Sequence, residues 1–362
     1  MSSTFEEARA AFPVLERFAY LNAGTFGPLA SATAEAVAAQ ARLELEQGRS
    51  GASYMASLRA LRSRARAGLG ELLGVGEEHV ALTTSTTSGC QIVLAGLGLG
   101  PDDEVVTTDE EHFGLLGPLH ASGARIRLAP TRGRPPAEAL EAILAAIGPC
   151  TRLIALSHVS WVTGNVLPVE ALKDATELPV LVDGAQSAGA IPVEVARFDF
   201  YTVSGQKWLC GPDATGALYI ADPERLRVAL PTHWSREAHE ANGAFRPVPG
   251  AGRFDSGAIP APSLMGLEAA LAGAPASRFE AGRAAAARCR ELLAERFEIV
   301  TAPDQATLVT FRPHADSAET VERLHEAGVI VREIPATGWV RVSCGYWTSD
   351  GDLERLVAGL EH

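Results

Sequence analysis

Lysine is nearly absent from this chain. Of 31 basic residues in 362 positions, only Lys173 and Lys207 are lysines; the rest are arginines. Chemistry that needs a primary amine on the chain interior therefore has few candidates. Cysteine is sparse as well. Cys90, Cys150, Cys210, Cys289 and Cys344 are scattered, odd in number and without C-x-x-C spacing. That excludes a disulfide scaffold and a zinc site, so no metal is expected, and it suits a reducing cytoplasm. No uncharged apolar run reaches the roughly 18 residues of a membrane span. The start, MSSTFEEARAAF, has acids where a signal peptide needs basic residues. Basic runs are also missing. The net charge of −13 leaves no electrostatic footprint for nucleic acid or an anionic membrane.

What is present reads as an ordinary globular chain, long enough for a large domain and a smaller one. Helical spacing marks residues 30–50, 55–75 and 137–148. Short apolar runs mark strands at HVALTT, DEVVTTD, ARIRLAPT, TRLIALSHVS, LPVLVDGAQ, FDFYTVSG and GALYIA. Strands alternating with helices predict βαβ units and a mostly parallel sheet covered on both faces. Residues 231–262 are rich in Pro, Gly and polar residues and read as loop. Beyond them, further helices and the strands FEIVTA, TLVTFRP, GVIVREI and WVRVSCGY predict a smaller α+β unit. The expected division is a large domain over 26–245, with 1–25 and 246–362 forming the small one.

Lys173 sits among polar neighbours on a short helix, as a solvated lysine would. Lys207 follows an apolar strand and precedes Trp208, Leu209 and Cys210. Such a setting disfavours the ammonium form and makes the amine a nucleophile, although a snorkelling lysine has the same surroundings. Asp183 ends the apolar strand LPVLVDG, at the sheet edge where open α/β folds bind ligands. A helix cap is the bland reading of that aspartate. The demanding one is an acid that keeps a pyridine nitrogen protonated, with Gln186 three residues on to meet a ring hydroxyl. STTSG (85–89) leads straight into a helix, whose free N–H groups suit a phosphate. Thr86 and Thr87 add hydroxyls there, although simple N-capping uses the same residues. Ser204 and Gln206, beside Lys207, offer further donors. His112 follows the next strand, placed to stack on a ring or move protons, or to serve structure alone. Together these groups are the requirements of pyridoxal 5′-phosphate (PLP). A nucleotide-binding fold would need a glycine-rich phosphate loop after a strand, and GLGLG (96–100) ends a helix instead.

STTSGCQ, DEEHFG, SHVSWVTGNVLP, VDGAQSAG, FDFYTVSGQKWLCGP, RFDSGAIPAPSLMGL and RVSCGYWTS occur in this order over nearly the whole chain. The series resembles the class V aminotransferase family of fold-type I PLP enzymes, which includes cysteine desulfurases. The most specific pair is VDGAQ with SGQK, the lysine 24 residues after the aspartate. The resemblance implies a fold-type I PLP-dependent transferase and gives each residue a role. Lys207 holds PLP as a Schiff base and later moves the α-proton. Asp183 binds the pyridine nitrogen, Gln186 the ring oxygen, and His112 stacks on the ring. Thr86, Thr87, Ser204 and Gln206 hold the phosphate. Arg341 clamps the substrate carboxylate, as a bidentate guanidinium suits. A homodimer is implied, with a loop borrowed from the partner; the segment around Ser263 matches that loop. Asn22, Thr25 and Tyr54 are candidates to face the substrate side chain.

Two departures bear on the reaction. Many relatives read S-G-H-K where this chain has Ser204-Gly205-Gln206-Lys207, and glutamine cannot titrate. Desulfurases also carry a mobile-loop cysteine upstream of the arginine motif, and VIVREIPATGW has none. The chain thus looks closer to the cystine C–S lyase branch, while YLNAGTFGPL resembles both that branch and the isopenicillin N epimerase-like branch. The expected function is a PLP-dependent amino-acid lyase or aminotransferase, with an epimerase as the alternative. A non-catalytic PLP-fold binding protein would have lost cofactor residues, and none is lost.

Overall fold

The computed structural model describes residues 4–361. β1 (Ala19–Tyr20) comes first. It is followed by β2 (Val80–Thr83), β3 (Glu104–Thr108), β4 (Arg125–Ala129), β5 (Thr151–Ser157), β6 (Val180–Asp183), β7 (Phe200–Ser204) and β8 (Gly216–Ile220). β2 to β8 form one seven-stranded sheet in the order β2-β8-β7-β6-β5-β3-β4. Its pairs from β7 to β4 are parallel, and β8 alone runs against its neighbours β7 and β2. The mixed, mostly parallel sheet expected from the βα alternation is therefore present.

Apart from the exposed edge strand β4, both faces of this sheet are buried, which explains the continuous apolar runs of its strands. Val180 and Val182 of β6 join Leu61, Leu69, Leu264 and Leu267 in one core. Leu181, between them, points the other way, into a core with Val93, Leu94, Leu115 and Leu119. The helix Ala261–Gly273 carries Leu264 and Leu267 into the core of the large unit, against helices Ser31–Gln47 and Gly51–Leu73, although it lies within 246–362.

Residues 231–262 differ from the expected loop. They contain a hairpin of β9 (Arg236–His239) and β10 (Phe245–Pro247). REAH and FRP lack the β-branched pattern that marks strands, so pairing, not propensity, makes them extended. The remaining strands are β11 (Glu298–Ile299), β12 (Leu308–Arg312), β13 (Val329–Ile330), β14 (Arg332–Ile334) and β15 (Trp339–Ser343). Four form an antiparallel sheet in the order β11-β12-β15-β14, and β1 pairs with β13. The N-terminal segment thus meets the small unit through β13, in a separate two-stranded sheet, and Asn22 bridges to Ser343 of β15. Among the described residues, no helix is long and apolar enough to cross a membrane.

Candidate active site

The parallel strands bring their carboxyl ends to one edge. β5 ends at Ser157, β6 at Asp183 and β7 at Ser204, with Ser157 opposite Asp183 in register. Two helix starts reach the same edge, at Thr86 and at Phe113 just after His112. Had Gly114 a Cβ, it would lie 2.7 Å from Thr87 Oγ1, so these two helix starts meet. Ser204 closes the group from below: its Oγ accepts from Thr86 N at 3.3 Å. The buried Gln206 Oε1 has no partner.

Asp183 is 3% exposed. Its Oδ1 accepts from Ala185 N at 2.9 Å and from the Thr202 hydroxyl at 3.3 Å. Gln186 donates to Gly24 O at 2.9 Å and accepts from Trp208 Nε1 at 3.0 Å. Lys207 is close enough to feel the charges of Asp183, Arg341 and Arg332. Burial lowers its pKa to about 8; Asp183 opposes this shift, while Arg341 and Arg332 add to it. The amine thereby becomes available as a nucleophile near neutral pH. His112 Nδ1 accepts from Gly114 N at 3.0 Å, and its ring meets Trp161 edge-on at 5.0 Å. Partial burial and the Lys207 charge lower its pKa, which favours the neutral ring. Beside it, Glu111 accepts from Ser157 N, Ser157 Oγ and the Thr108 hydroxyl. Burial still raises the Glu111 carboxyl to about 7.

The small sheet supplies the opposite wall. Arg341 on β15 is fully buried, yet among the described residues no carboxylate pairs with it. Its Nη1 donates to Trp161 O at 2.9 Å, while Nε and Nη2 have no partner among the described residues. Burial, reinforced by Arg332, pushes its guanidinium down to about 9, which leaves it charged at neutral pH. A buried cation with two free donors is costly unless an anion completes it. Arg332 stands nearby, its Nη1 donating to Thr25 Oγ1 at 3.0 Å and its guanidinium over the Trp161 ring at 5.6 Å. Thr25 donates in turn to Asn22 Oδ1 at 2.8 Å. The N-terminal turn fits here because residue 24 is glycine: a Cβ there would lie 2.7 Å from Arg341 Nη2 and 3.0 Å from Gln186 Oε1.

Lys207, Asp183, Gln186, His112, Thr86, Thr87, Ser204, Gln206, Arg341, Asn22 and Thr25 thus gather around one cleft edge. Two candidates lie elsewhere in the chain. Tyr54 donates to Glu44 and lines a separate cavity of about 320 Å³ between helices Ser31–Gln47 and Gly51–Leu73. Ser263 occupies the first turn of the helix Ala261–Gly273, not a loop. Conversely, sequence reasoning gave no role to Arg332, Trp161, Trp208 or Thr202. Arg332 did leave a signal, as the lone cation within the apolar run GVIVREI.

The aminotransferase class-V family model matches residues 26–355. The chain belongs to this family. It is 30% identical to an isopenicillin N epimerase of Streptomyces clavuligerus, over 99% of this chain and 98% of the relative. A probable cysteine desulfurase of Halalkalibacterium halodurans is 27% identical, with 78% and 77% of the two chains covered. A cystine C–S lyase solved with its product cysteine persulfide superimposes with a TM-score of 0.89 at 30% identity, covering 96% of this chain and 98% of that one. A mutant of the same lyase, solved with glycine covalently linked to its PLP, also gives 0.89 at 30% identity, over 97% and 98%. This class V aminotransferase family member is accordingly a PLP-dependent amino-acid enzyme of fold type I.

Proposed function

We propose that Lys207 carries PLP at this edge and that the enzyme cleaves the β-carbon–sulfur bond of a cyst(e)ine-type amino acid or transfers its amino group. The residues fit the cofactor. Two convergent helix starts with Thr86, Thr87 and Ser204 would receive the phosphate, and Gln206 would donate to it through its amide nitrogen. Asp183 would hold the pyridine nitrogen, Gln186 the ring oxygen, and His112 the ring face. Bound there, PLP supplies an electron sink for the bond cleaved at the substrate α-carbon.

The chain's own groups do the rest. Ala185 N and Thr202 hold the Asp183 carboxyl group in place for the ring nitrogen. Arg341 takes the substrate carboxylate through Nε and Nη2 and so fixes the direction of the Cα–H bond. Lys207, with its lowered pKa, takes that proton.

The observation that carries the choice of substrate is the pair of arginines without acids, Arg341 and Arg332. Cystine has a carboxylate at each end and so suits two unpaired guanidinium groups. A protein persulfide is disfavoured by the hairpin. β14 turns into β15 through Pro335–Gly338 with no cysteine, and Cys289 and Cys344 are buried. Incubating the holoenzyme with cystine, cysteine and a panel of amino acids tests this. Pyruvate with persulfide or sulfide marks a lyase, and keto acid with the aminated cofactor marks a transaminase. An inverted α-centre with no product would favour the second reading, an epimerase, which the full-length similarity to isopenicillin N epimerase supports.

We further propose a homodimer in a reducing cytoplasm. Phe26, Leu45 and Phe113 are exposed at 49%, 84% and 76%, and Phe113 adjoins His112. In such a dimer, Tyr54 and Ser263 would act on the partner's site. The domain division proposed is 26–245 against 1–25 and 246–362.

A further inference from the structure

The turn after β5 receives three hydrogen bonds from the small unit on three consecutive carbonyls, two from its sheet and one from the bend that follows β11. Trp161 O accepts from Arg341 Nη1 at 2.9 Å, Val162 O from the Thr310 hydroxyl at 2.9 Å, and Thr163 O from the Thr301 hydroxyl at 2.5 Å. The large unit grips the same turn from its other side. Ser160 Oγ accepts from Val162 N and Thr163 N, and the Thr163 hydroxyl donates to Glu110 Oε2 at 3.0 Å. Thr310 and Thr301 are themselves joined, Thr310 N donating to Thr301 Oγ1 at 2.7 Å. Both are buried, and Thr310 is the register partner of Arg341 across β12 and β15.

A strand places the backbone of Arg341, but a guanidinium on a long stem needs a further anchor to hold its plane. Trp161 O supplies that anchor, and the two threonines hold the next two carbonyls of the same turn. We propose that Thr310, assisted by Thr301, is a positioning residue: through the Trp161–Thr163 turn it sets the orientation in which Arg341 presents its free Nε and Nη2 to the substrate carboxylate. This rests on the role proposed for Arg341. Neither threonine contacts the substrate. The Trp161 ring also touches His112 and lies under Arg332, so the same turn places the wall between them.

The test uses the PLP-loaded enzyme and reads binding, not turnover. Glycine and methylamine are titrated against the cofactor absorbance for wild type, Thr310→Val, Thr310→Ser, Arg341→Lys and the double variant Thr310→Val with Arg341→Lys. Thr310→Val is nearly isosteric and loses only the hydroxyl. It is expected to weaken glycine about tenfold, the scale of one buried hydrogen bond, and to leave methylamine, which has no carboxylate, unchanged. Thr310→Ser restores glycine binding. In the Arg341→Lys background, Thr310→Val adds no further loss, because the two act as a unit. Glycine loss in Arg341→Lys without loss in Thr310→Val overturns the proposal and leaves Arg341 its role. Equal loss of glycine and methylamine, or additive losses, also overturns it. No loss in either single variant overturns the role of Arg341 as well.

Discussion

The indole Nε1 of Trp208 donates to Gln186 Oε1 across 3.0 Å, and that bond decides which way the Gln186 amide faces. With its oxygen committed to Trp208, the amide nitrogen turns to Gly24 O and keeps one hydrogen free for a ring oxygen. Trp208→Phe leaves Oε1 buried and unpaired, a loss of about 1–3 kcal/mol. PLP affinity is expected to fall roughly tenfold in spectral titration. An unchanged dissociation constant would refute this orienting role.

Lys207 is the amine whose pKa burial brings down to about 8. Wild type should show a band near about 420 nm that borohydride bleaches, the signature of a lysine-held PLP. Lys207→Ala is expected to lose that band and the activity together. A variant that kept the band would move the attachment elsewhere.

Arg341 and Arg332 should separate kinetically. Arg341→Lys replaces a planar fork by a point charge and is expected to raise KM for every amino acid about 100-fold. Arg332→Met should raise KM for cystine by about tenfold more than for cysteine, because only cystine brings a second carboxylate. Equal effects on the two substrates would remove Arg332 from substrate recognition.

Asp255 is 2% exposed and neutralises two arginines at once. It accepts from Arg62 Nη2 at 2.8 Å, from Arg66 at 2.9 and 2.8 Å, and from Leu82 N at 2.8 Å. This ties the segment after the β9–β10 hairpin to β2 and to the helix Gly51–Leu73. Asp255→Asn leaves two partly or fully buried cations short of an anion and should cost about 3–5 kcal/mol in urea unfolding. A loss below about 1 kcal/mol, the range of an exposed ion pair, would show that solvent reaches this cluster.

His158 is buried, its Nδ1 has no partner, and burial lowers its pKa to about 4. Unfolded, it would titrate near about 6.5. Between these values the unfolded chain binds the proton and the folded one does not, so stability falls as pH drops from 6.5 to about 4 and levels off below. The contribution over this window is about 3 kcal/mol. His158→Phe keeps the ring volume against Phe198 and should flatten the slope of unfolding free energy over that window. Equal slopes in variant and wild type would place the acid sensitivity elsewhere.

The order of elements was legible because both periods are strong in this chain. Apolar runs such as LPVLVDG demand a strand buried on both faces, and β6 is one. Lys207 and Asp183 stood out because a lone lysine and a strand-end acid are each expensive inside a fold. Arg332 stayed without a role because its partners, Thr25 and the Trp161 face, lie 307 and 171 positions away along the chain. Tyr54 and Ser263 matched a pattern of residue types, and pattern does not say which chain's cleft a side chain faces. The β9–β10 hairpin escaped because its strands carry no propensity signal of their own.

By itself, the sequence determined the chemistry's vocabulary: the amine of Lys207, the acid of Asp183, the hydroxyls of Thr86 and Thr87 at a helix start, and the guanidinium of Arg341. Local spacing suffices for that, because each sits within or beside a strand or helix whose period is readable. Only the tertiary structure decided that Arg341 has two donors left over, that Arg332 stands beside it without an acid, and that a turn of the large unit holds it through a carbonyl. Those facts depend on which side chains two separate sheets bring together, and a free donor is known only when every neighbour that might fill it has been placed.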